Sequence, residues 1–327
     1  MNYAQAYEQF QALFKNELSD STAKALLIEL YERGESSEEI AAAAKVMREH
    51  SIKLHVNEQL QSELIDIVGT GGDKSGTFNI STTVSLVLAS LGCKVAKHGS
   101  GSATSLSGSA DVLNVLGLNL NLSVEKQAKM LEECGFVFMF ALNHHPCMKH
   151  IMPIRKSLSH RTIFNMLGPL ANPANVQKQV LGVFHVDYIE RFAKALQTLG
   201  TQKSVVLSSL DGLDELSIST ISRYIKVENN ALEMGEIDPQ SLGLKLSPLA
   251  SIKGGDSFQN ADITRAILQG DEKGAKRDVV VLNGALALVV DSKARDMQEG
   301  IEMMNEALDS KKAWEKLGEI IRLSYLI

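Results

Sequence analysis

The residues with most chemistry to offer stand in one glycine-rich stretch, Gly69-Thr70-Gly71-Gly72-Asp73, followed by residues 74–77 and then Phe78-Asn79-Ile80-Ser81-Thr82. Glycines let backbone N–H groups approach an anion closely, and the N-terminus of a following helix adds the positive end of its dipole. Asn79, Ser81 and Thr82 add side-chain hydrogen-bonding groups where that helix starts. The stretch is not a dinucleotide fingerprint, because Lys74 occupies the place of the third glycine. Nor is it a P-loop, because Gly76 is followed by Thr77-Phe78 instead of Lys-Ser or Lys-Thr. A turn that only reverses the chain is the plainer alternative. Phosphate binding is the chemistry these residue types fit.

A second polar stretch runs from Lys97-His98-Gly99-Ser100-Gly101 through residues 102–105 to Leu106-Ser107-Gly108-Ser109-Ala110-Asp111. Small hydroxyl residues and glycines with one lysine make another anion-friendly surface, and the same composition would serve a flexible linker. Its place directly after a strand and before a helix favours a site. The third constellation is Asp211-Gly212-Leu213-Asp214-Glu215. Adjacent carboxylates suit a hard cation such as Mg²⁺, which takes few protein oxygens and shares substrate phosphates. Taken alone they are a solvated acidic turn; beside two phosphate-like loops the metal reading is the better one. His144, His145, His150 and His160 gather around Arg155 and Arg161, with Cys147 nearby, yet no ligand set of usual zinc spacing is completed. Arg155 is either part of a solvated helix face or a fork that recognises a carboxylate.

The elements that must position these residues are legible in the hydrophobic pattern. Leu26, Leu27, Leu30 and Tyr31 form a helical stripe, Gly34 suits its end, and Ser36 with Glu39 is a capping-box pattern opening a helix over 40–47. No strand signal precedes Leu64. Strands are then expected over 65–68, 93–96, 136–141, 179–184 and 204–208, separated by helices over 83–91, 124–133 and 189–199. That alternation is the signature of βαβ units and a mainly parallel sheet. Residues 223–234 alternate around Asn229-Asn230, as an antiparallel excursion would, and the chain from Asn260 onward is helix-rich. The fold class is therefore α/β: a small all-helical N-terminal domain over 1–65, and a large α/β domain over 66–327 with a mainly parallel central sheet flanked by helices.

The 327 residues are enough for two domains, and 44% hydrophobic with 22% charged residues excludes wholesale disorder. A net charge of −6 argues against a basic face for nucleic acid. The three cysteines have no CxxC spacing and read as reduced thiols. No apolar run approaches the roughly 20 residues of a membrane span, and the first residues lack a secretory pattern. A soluble, cytoplasmic protein is expected.

Taken together, these motifs resemble anthranilate phosphoribosyltransferase. The resemblance rests on Asp66-Ile67-Val68 with the glycine stretch, the 78–82 run, Lys97-His98-Gly99 with Ser107 to Asp111, and His144-His145-Pro146. It also rests on residues 161–173, Asp211 to Glu215, Gly254-Gly255-Asp256 with Asn260-Ala261, and Arg277-Asp278 with Asn283. It covers nearly the whole chain in order. It implies transfer of phosphoribose from phosphoribosyl pyrophosphate (PRPP) to the amine of anthranilate, releasing pyrophosphate, in tryptophan biosynthesis. It implies a helical domain completed by a mid-chain segment near 155–175, and a homodimer through that domain. By position it implies that Gly69, Gly71, Gly72, Asp73, Thr77, Asn79, Ser81, Thr82, Lys97 and Ser109 contact PRPP. Ser81, Asp214 and Glu215 would hold Mg²⁺. Gly69, His98, Ser100, Ala141, His145, Met148 and Arg155 would line the anthranilate channel, with Arg155 as carboxylate partner. No residue is implied as a general base, since the neutral aromatic amine is already nucleophilic.

The chain departs from the family in one place. After Lys97-His98-Gly99 the family has Asn-Arg-Ser-Val-Ser-Ser-Lys-Ser; here Ser100 replaces the asparagine near the acceptor amine, and Gly101 and Leu106 replace two cations. The change implies weaker PRPP binding or a different acceptor. A relative of the fold that binds nucleic acid, and a pyrimidine nucleoside phosphorylase, are the alternatives. The acidic pair has no evident role in the phosphorylase.

Overall fold

The structure, a computed structural model, describes residues 1–101 and 106–327. The Ser102, Ala103, Thr104 and Ser105 portion of the second polar loop lies outside the described residues. The chain opens with α1 (Tyr3–Phe14), α2 (Asp20–Arg33) and α3 (Ser37–Glu49), each begun by a side-chain cap from Asn2, Ser19 or Ser36. The expected capping box forms in both directions: Glu39 N donates to Ser36 Oγ at 3.3 Å and Ser36 N to Glu39 Oε2 at 2.9 Å. Gly34, with φ of +75°, lets the chain leave α2 in a conformation other residues resist.

A short α4 (Glu58–Glu63) delivers β1 (Leu64–Gly69). There follow α5 (Ile80–Ser90), β2 (Lys94–Gly99), α6 (Ser109–Leu116), α7 (Val124–Cys134) and β3 (Phe136–Phe140). The mid-chain segment holds α8 (Ala141–His144), α9 (Met148–Lys156) and α10 (Phe164–Leu167), and leads to β4 (Lys178–Gly182), α11 (Ile189–Thr198) and β5 (Lys203–Ser209). A hairpin of β6 (Ser222–Glu228) and β7 (Ala231–Ile237) precedes α12 (Ser257–Leu268), α13 (Ala275–Val290), α14 (Met297–Asp309) and α15 (Lys312–Leu326).

Among the described residues the strands form one sheet in the order β3-β2-β1-β4-β5-β6-β7. The first five are mutually parallel, and β6 and β7 are the antiparallel excursion. Asn229 and Asn230, at φ of +50° and +62°, make the tight turn between them. Apolar side chains of α5, α6 and α12–α15 bury one face of the sheet. On the other face, α1–α3 share one core with α9, α10 and α11 and with Leu181, Val206 and Val227 of the sheet. Asn172 ties the mid-chain segment to the strands, donating from Nδ2 to Asp66 Oδ2 and to the Ala96 carbonyl, each at 2.8 Å.

Several boundaries differ from the sequence expectation. The strand expected over 93–96 runs from Lys94 to Gly99, which takes Lys97 and His98 out of the polar loop and into β2. The helix expected over 83–91 begins at Ile80, because buried Ile80, Thr82 and Thr83 pack as its first turn. The strand expected over 136–141 ends at Phe140, and Ala141 opens α8. The strand expected over 179–184 ends at Gly182, where the chain turns so that Phe184 N donates to Thr70 Oγ1 at 3.2 Å.

β1 has β2 on one side and β4 on the other, so the connections leaving the sheet diverge at its carboxyl edge there. Such a switch point opens a crevice in which α/β proteins hold ligands. The glycine stretch springs from β1 at that point.

Candidate active site

The loop between β1 and α5 is built on positive φ at Gly71 (+65°), Gly72 (+81°) and Gly76 (+66°), with Lys74 alongside at +57°. The acidic loop after β5 reaches across to it. Asp214 lies in a cradle at the carboxyl ends of β1 and β4: a β-carbon on Gly69 would stand 2.2 Å from Asp214 Oδ2, and one on Gly182 would stand 1.5 Å from the Asp214 carbonyl oxygen. Only glycine fits either place. Gly71 N donates to Asp214 Oδ2 at 2.6 Å, and Ser81 N, in the first turn of α5, donates to Glu215 Oε1 at 3.1 Å. Asn283 of α13 grips the next residue from both sides, accepting from Leu216 N and donating to its carbonyl, each at 2.9 Å.

The residues fit a hard divalent cation. Burial first, then repulsion from Asp73, raises the Asp214 carboxyl to about 7. Burial followed by Asp214 and Asp73 raises Glu215 well above its ordinary value. Asp73 Oδ2 is buried with no hydrogen-bond partner among the described residues. Crowded carboxylates that hold on to protons are poised for a positive charge. Among the described residues no three His, Cys, Asp or Glu side chains are grouped to hold a metal by themselves.

Lys97 is placed beneath this site and does not open onto it. It is 1% exposed, and its Nζ donates to the Ile67 carbonyl at 2.7 Å and to Ser81 Oγ at 3.3 Å. Burial pulls its pKa down, opposed by Asp66 and Glu215. The two polar loops meet where Thr82 Oγ1 donates to Ser109 Oγ at 3.0 Å, at the starts of α5 and α6. Thr77 sits at the far end of the first loop, bridged to Lys253.

On the other side of the crevice, His98 and His145 touch, Nε2 to Nε2, at 3.2 Å. His98 Nδ1 lies 3.1 Å from the Gly168 carbonyl, which can only accept, so the His98 proton sits on Nδ1 and the bridging proton comes from His145. Burial, and then each ring's histidine neighbour, lowers His98 to about 3 and His145 to about 4. Both rings are neutral at pH 7. Met148 follows one turn later, its N donating to the His145 carbonyl at 3.0 Å. Arg155 stands seven residues beyond Met148 on the same face of α9. Its guanidinium has weak neutral partners, Met152 Sδ and Asn165 Oδ1 at 3.5 Å each, and lies 5.5 Å over the Phe164 ring. A half-buried cation so partnered is an open position for a carboxylate. Ser100 turns its hydroxyl onto the Gly101 carbonyl at 3.0 Å, Ala141 is half-buried at the start of α8, and Leu106 is 80% exposed.

The structure thus joins Gly69, Gly71, Asp73, Ser81, Asp214 and Glu215 in one cluster, and His98 with His145 in a second. Sequence reading missed Gly182, whose one signal is a glycine closing an apolar strand.

A helical bundle packed on a mainly parallel sheet, with a glycine loop facing an acidic pair at the switch point, is the frame of a two-part glycosyl transferase. Residues 1–51 match the helical bundle domain of the glycosyl transferase family, and residues 61–314 match its a/b domain. The chain belongs to the anthranilate phosphoribosyltransferase family. It is 44% identical to the anthranilate phosphoribosyltransferase of Chromobacterium violaceum, over 98% of this chain and 93% of that protein. The anthranilate phosphoribosyltransferase structure from Thermus thermophilus superposes with a TM-score of 0.93 at 39% identity, covering 99% of this chain and 96% of that one. The enzyme from Saccharomyces cerevisiae, in complex with PRPP and Mg, superposes at 0.90 with 26% identity over 100% and 94% of the two chains. Among the described residues, no helix is long and apolar enough to cross a membrane.

Proposed function

We propose that this enzyme transfers the phosphoribosyl group of PRPP to the amine of anthranilate, as its relatives' names describe, and that it works in the cytoplasm. The observation that carries the reading is the Gly69–Gly182 cradle holding Asp214 against the glycine loop. The reaction breaks the C1–O bond to pyrophosphate and forms a C1–N bond. The pyrophosphate leaves with the bonding pair, and the amine nitrogen gives up one proton to the departing pyrophosphate or to solvent.

Asp214, Glu215 and Ser81 would hold Mg²⁺, which supplies positive charge against the departing pyrophosphate. In the loop over Gly69, Gly71, Gly72, Asp73 and Thr77, the Gly72 and Asp73 backbone N–H groups would face the donor, while Gly71 N is held by Asp214 and Thr77 N by Ser75. Ser81, Thr82 and Ser109 offer polar groups at the starts of α5 and α6, Asn79 can offer only the amide hydrogen not given to Ser107, and Lys97 adds its charge from below. Arg155 takes the acceptor carboxylate. His98 and His145 form a neutral wall, with Gly69, Ser100, Ala141 and Met148 completing the channel. Holding the amine in line with C1 lowers the barrier by several kcal/mol without a base.

We assign the helical domain, 1–65 joined by the 155–175 segment, to a unit hinged to the remainder of 66–327, although its last two residues before 66, Leu64 and Ile65, belong to β1. We place a homodimer contact on that unit. Tyr31 supports this contact, being 42% exposed and stacked on His160 with ring centroids 4.0 Å apart. Sedimentation at micromolar concentration tests it: a dimer mass is expected, and a monomer mass rejects it.

Loss of anthranilate fluorescence on adding PRPP, with and without Mg²⁺, tests the function. Rapid Mg²⁺-dependent loss is expected. No loss, with PRPP still bound by calorimetry, would leave the donor half of the site and overturn anthranilate as acceptor.

A further inference from the structure

The segment before α12 is stitched to the glycine loop. Thr77 and Lys253 form an antiparallel bridge, Phe78 N donates to the Ile252 carbonyl at 3.3 Å, and Gly254 N donates to the Gly76 carbonyl at 3.0 Å. The approach is close enough that a β-carbon on Gly254 would stand 2.6 Å from Phe78 Cα and 2.4 Å from Asn260 Oδ1. Asn260 lies one turn into α12 and is 2% exposed.

From Asn260 a directed chain of hydrogen bonds runs through both substrate loops. Gly255 N donates to Asn260 Oδ1 at 2.8 Å, Asn260 Nδ2 donates to Asn79 Oδ1 at 2.9 Å, and Asn79 Nδ2 donates to the Ser107 carbonyl at 3.3 Å. Its polarity is fixed at both ends. A backbone N–H can only donate and a carbonyl can only accept, so neither amide can flip without breaking its bonds. Asn79 makes no side-chain cap to its own helix, although it stands at the cap position of α5. Its amide is committed between α12 and the loop that precedes α6.

We propose that Asn260 is a positioning residue that acts through Asn79 to hold the glycine loop and the loop after β2 at a fixed spacing. The proposal rests on the reading of these loops as two walls of one PRPP site. The link joins residues 181 apart in sequence, and a further 28 separate Asn79 from Ser107. Loops from two different strands share no local chain restraint on their separation, and the buried bridge adds a second tie to the Thr82–Ser109 contact at the helix starts. PRPP then enters a site already spaced for it.

The test uses the full chain carrying Asn260→Asp, which keeps the acceptor for Gly255 N and replaces the donor facing Asn79 Oδ1 by a second oxygen. Amide hydrogen exchange without substrate should speed up across both 69–79 and 106–109, while the melting temperature stays within about 3 °C of wild type. The apparent KM for PRPP should rise about tenfold or more, with a smaller change in kcat. In an Asn79→Ala background the same substitution should change that KM by less than about twofold, since the link is already broken. Unchanged exchange at 106–109, or the same KM rise in both backgrounds, overturns the proposal. If Asn260→Asp unfolds the chain, Asn79→Ala alone decides: it must speed exchange at both 106–109 and 252–260. Should the wild type bind no PRPP, the functional reading fails, and the exchange data still judge the coupling.

Discussion

The Asp214 carboxylate and the Gly71 peptide nitrogen meet at 2.6 Å across 143 residues of sequence. The contact exists because two strands adjacent in space, β1 and β4, both end in glycine and leave a cradle for the acidic loop. The carboxylate proposed to hold Mg²⁺ is thereby fixed against the glycine loop.

Gly182→Ala tests the cradle. Its β-carbon would fall 1.5 Å from the Asp214 carbonyl oxygen, so the acidic loop must move. Overpacking of this kind costs about 1–3 kcal/mol, and turnover should fall about a hundredfold or more with the displaced carboxylate. Gly318→Ala, where an added β-carbon meets nothing within 4 Å, serves as the control and should keep full activity. Equal activity in the two variants would remove the cradle from the mechanism.

Asp214→Asn separates stability from function. In the metal-free protein the substitution relieves repulsion among Asp73, Asp214 and Glu215, so the melting temperature in chelator should rise. The increment that Mg²⁺ adds to melting should shrink, and Mg²⁺-dependent turnover should be lost. A lower melting temperature in chelator together with an undiminished Mg²⁺ increment would contradict the assignment.

Arg155 should act on the acceptor alone. Arg155→Ala is expected to raise the apparent KM for anthranilate about tenfold to a hundredfold, and Arg155→Lys to recover part of that, because an ammonium lacks the guanidinium fork. The KM for PRPP should stay within about twofold. Parallel increases for both substrates would take Arg155 out of the acceptor site.

The buried histidines make a pH prediction. Folding lowers His98 to about 3 and His145 to about 4, whereas the unfolded chain titrates them near about 6.5. Between those values the unfolded chain binds more protons than the folded one, so stability rises with pH across the window. What the pair contributes is complete above about 6.5 and is lost as pH falls through about 4 and then about 3. The melting temperature of wild type should therefore drop more steeply from about pH 7 to about pH 4 than that of a His98→Gln, His145→Gln double variant. Matching slopes would show that these rings take up their protons without unfolding.

The local signals in this chain read true because each is a statement about a few consecutive residues. Ser36 and Glu39 close their capping box, Asn229-Asn230 make the hairpin turn, and the 69–73 glycines follow a parallel strand as their spacing requires. Backbone preference and hydrophobic period suffice for such features, and with them come the α/β class and the helical start. Tertiary structure alone decided which of these pieces face one another. Lys97 looks in sequence like a ligand for phosphate, yet strand pairing buries it against Ile67 and Ser81. Gly182 looks like the end of a strand and is half of the Asp214 cradle. Asn260 looks like an early helix residue and braces two loops through Asn79. The strand order β3-β2-β1-β4-β5 sets those meetings. Side chains far apart along the chain touch only after crossovers choose their neighbours, and no window of consecutive residues contains that choice.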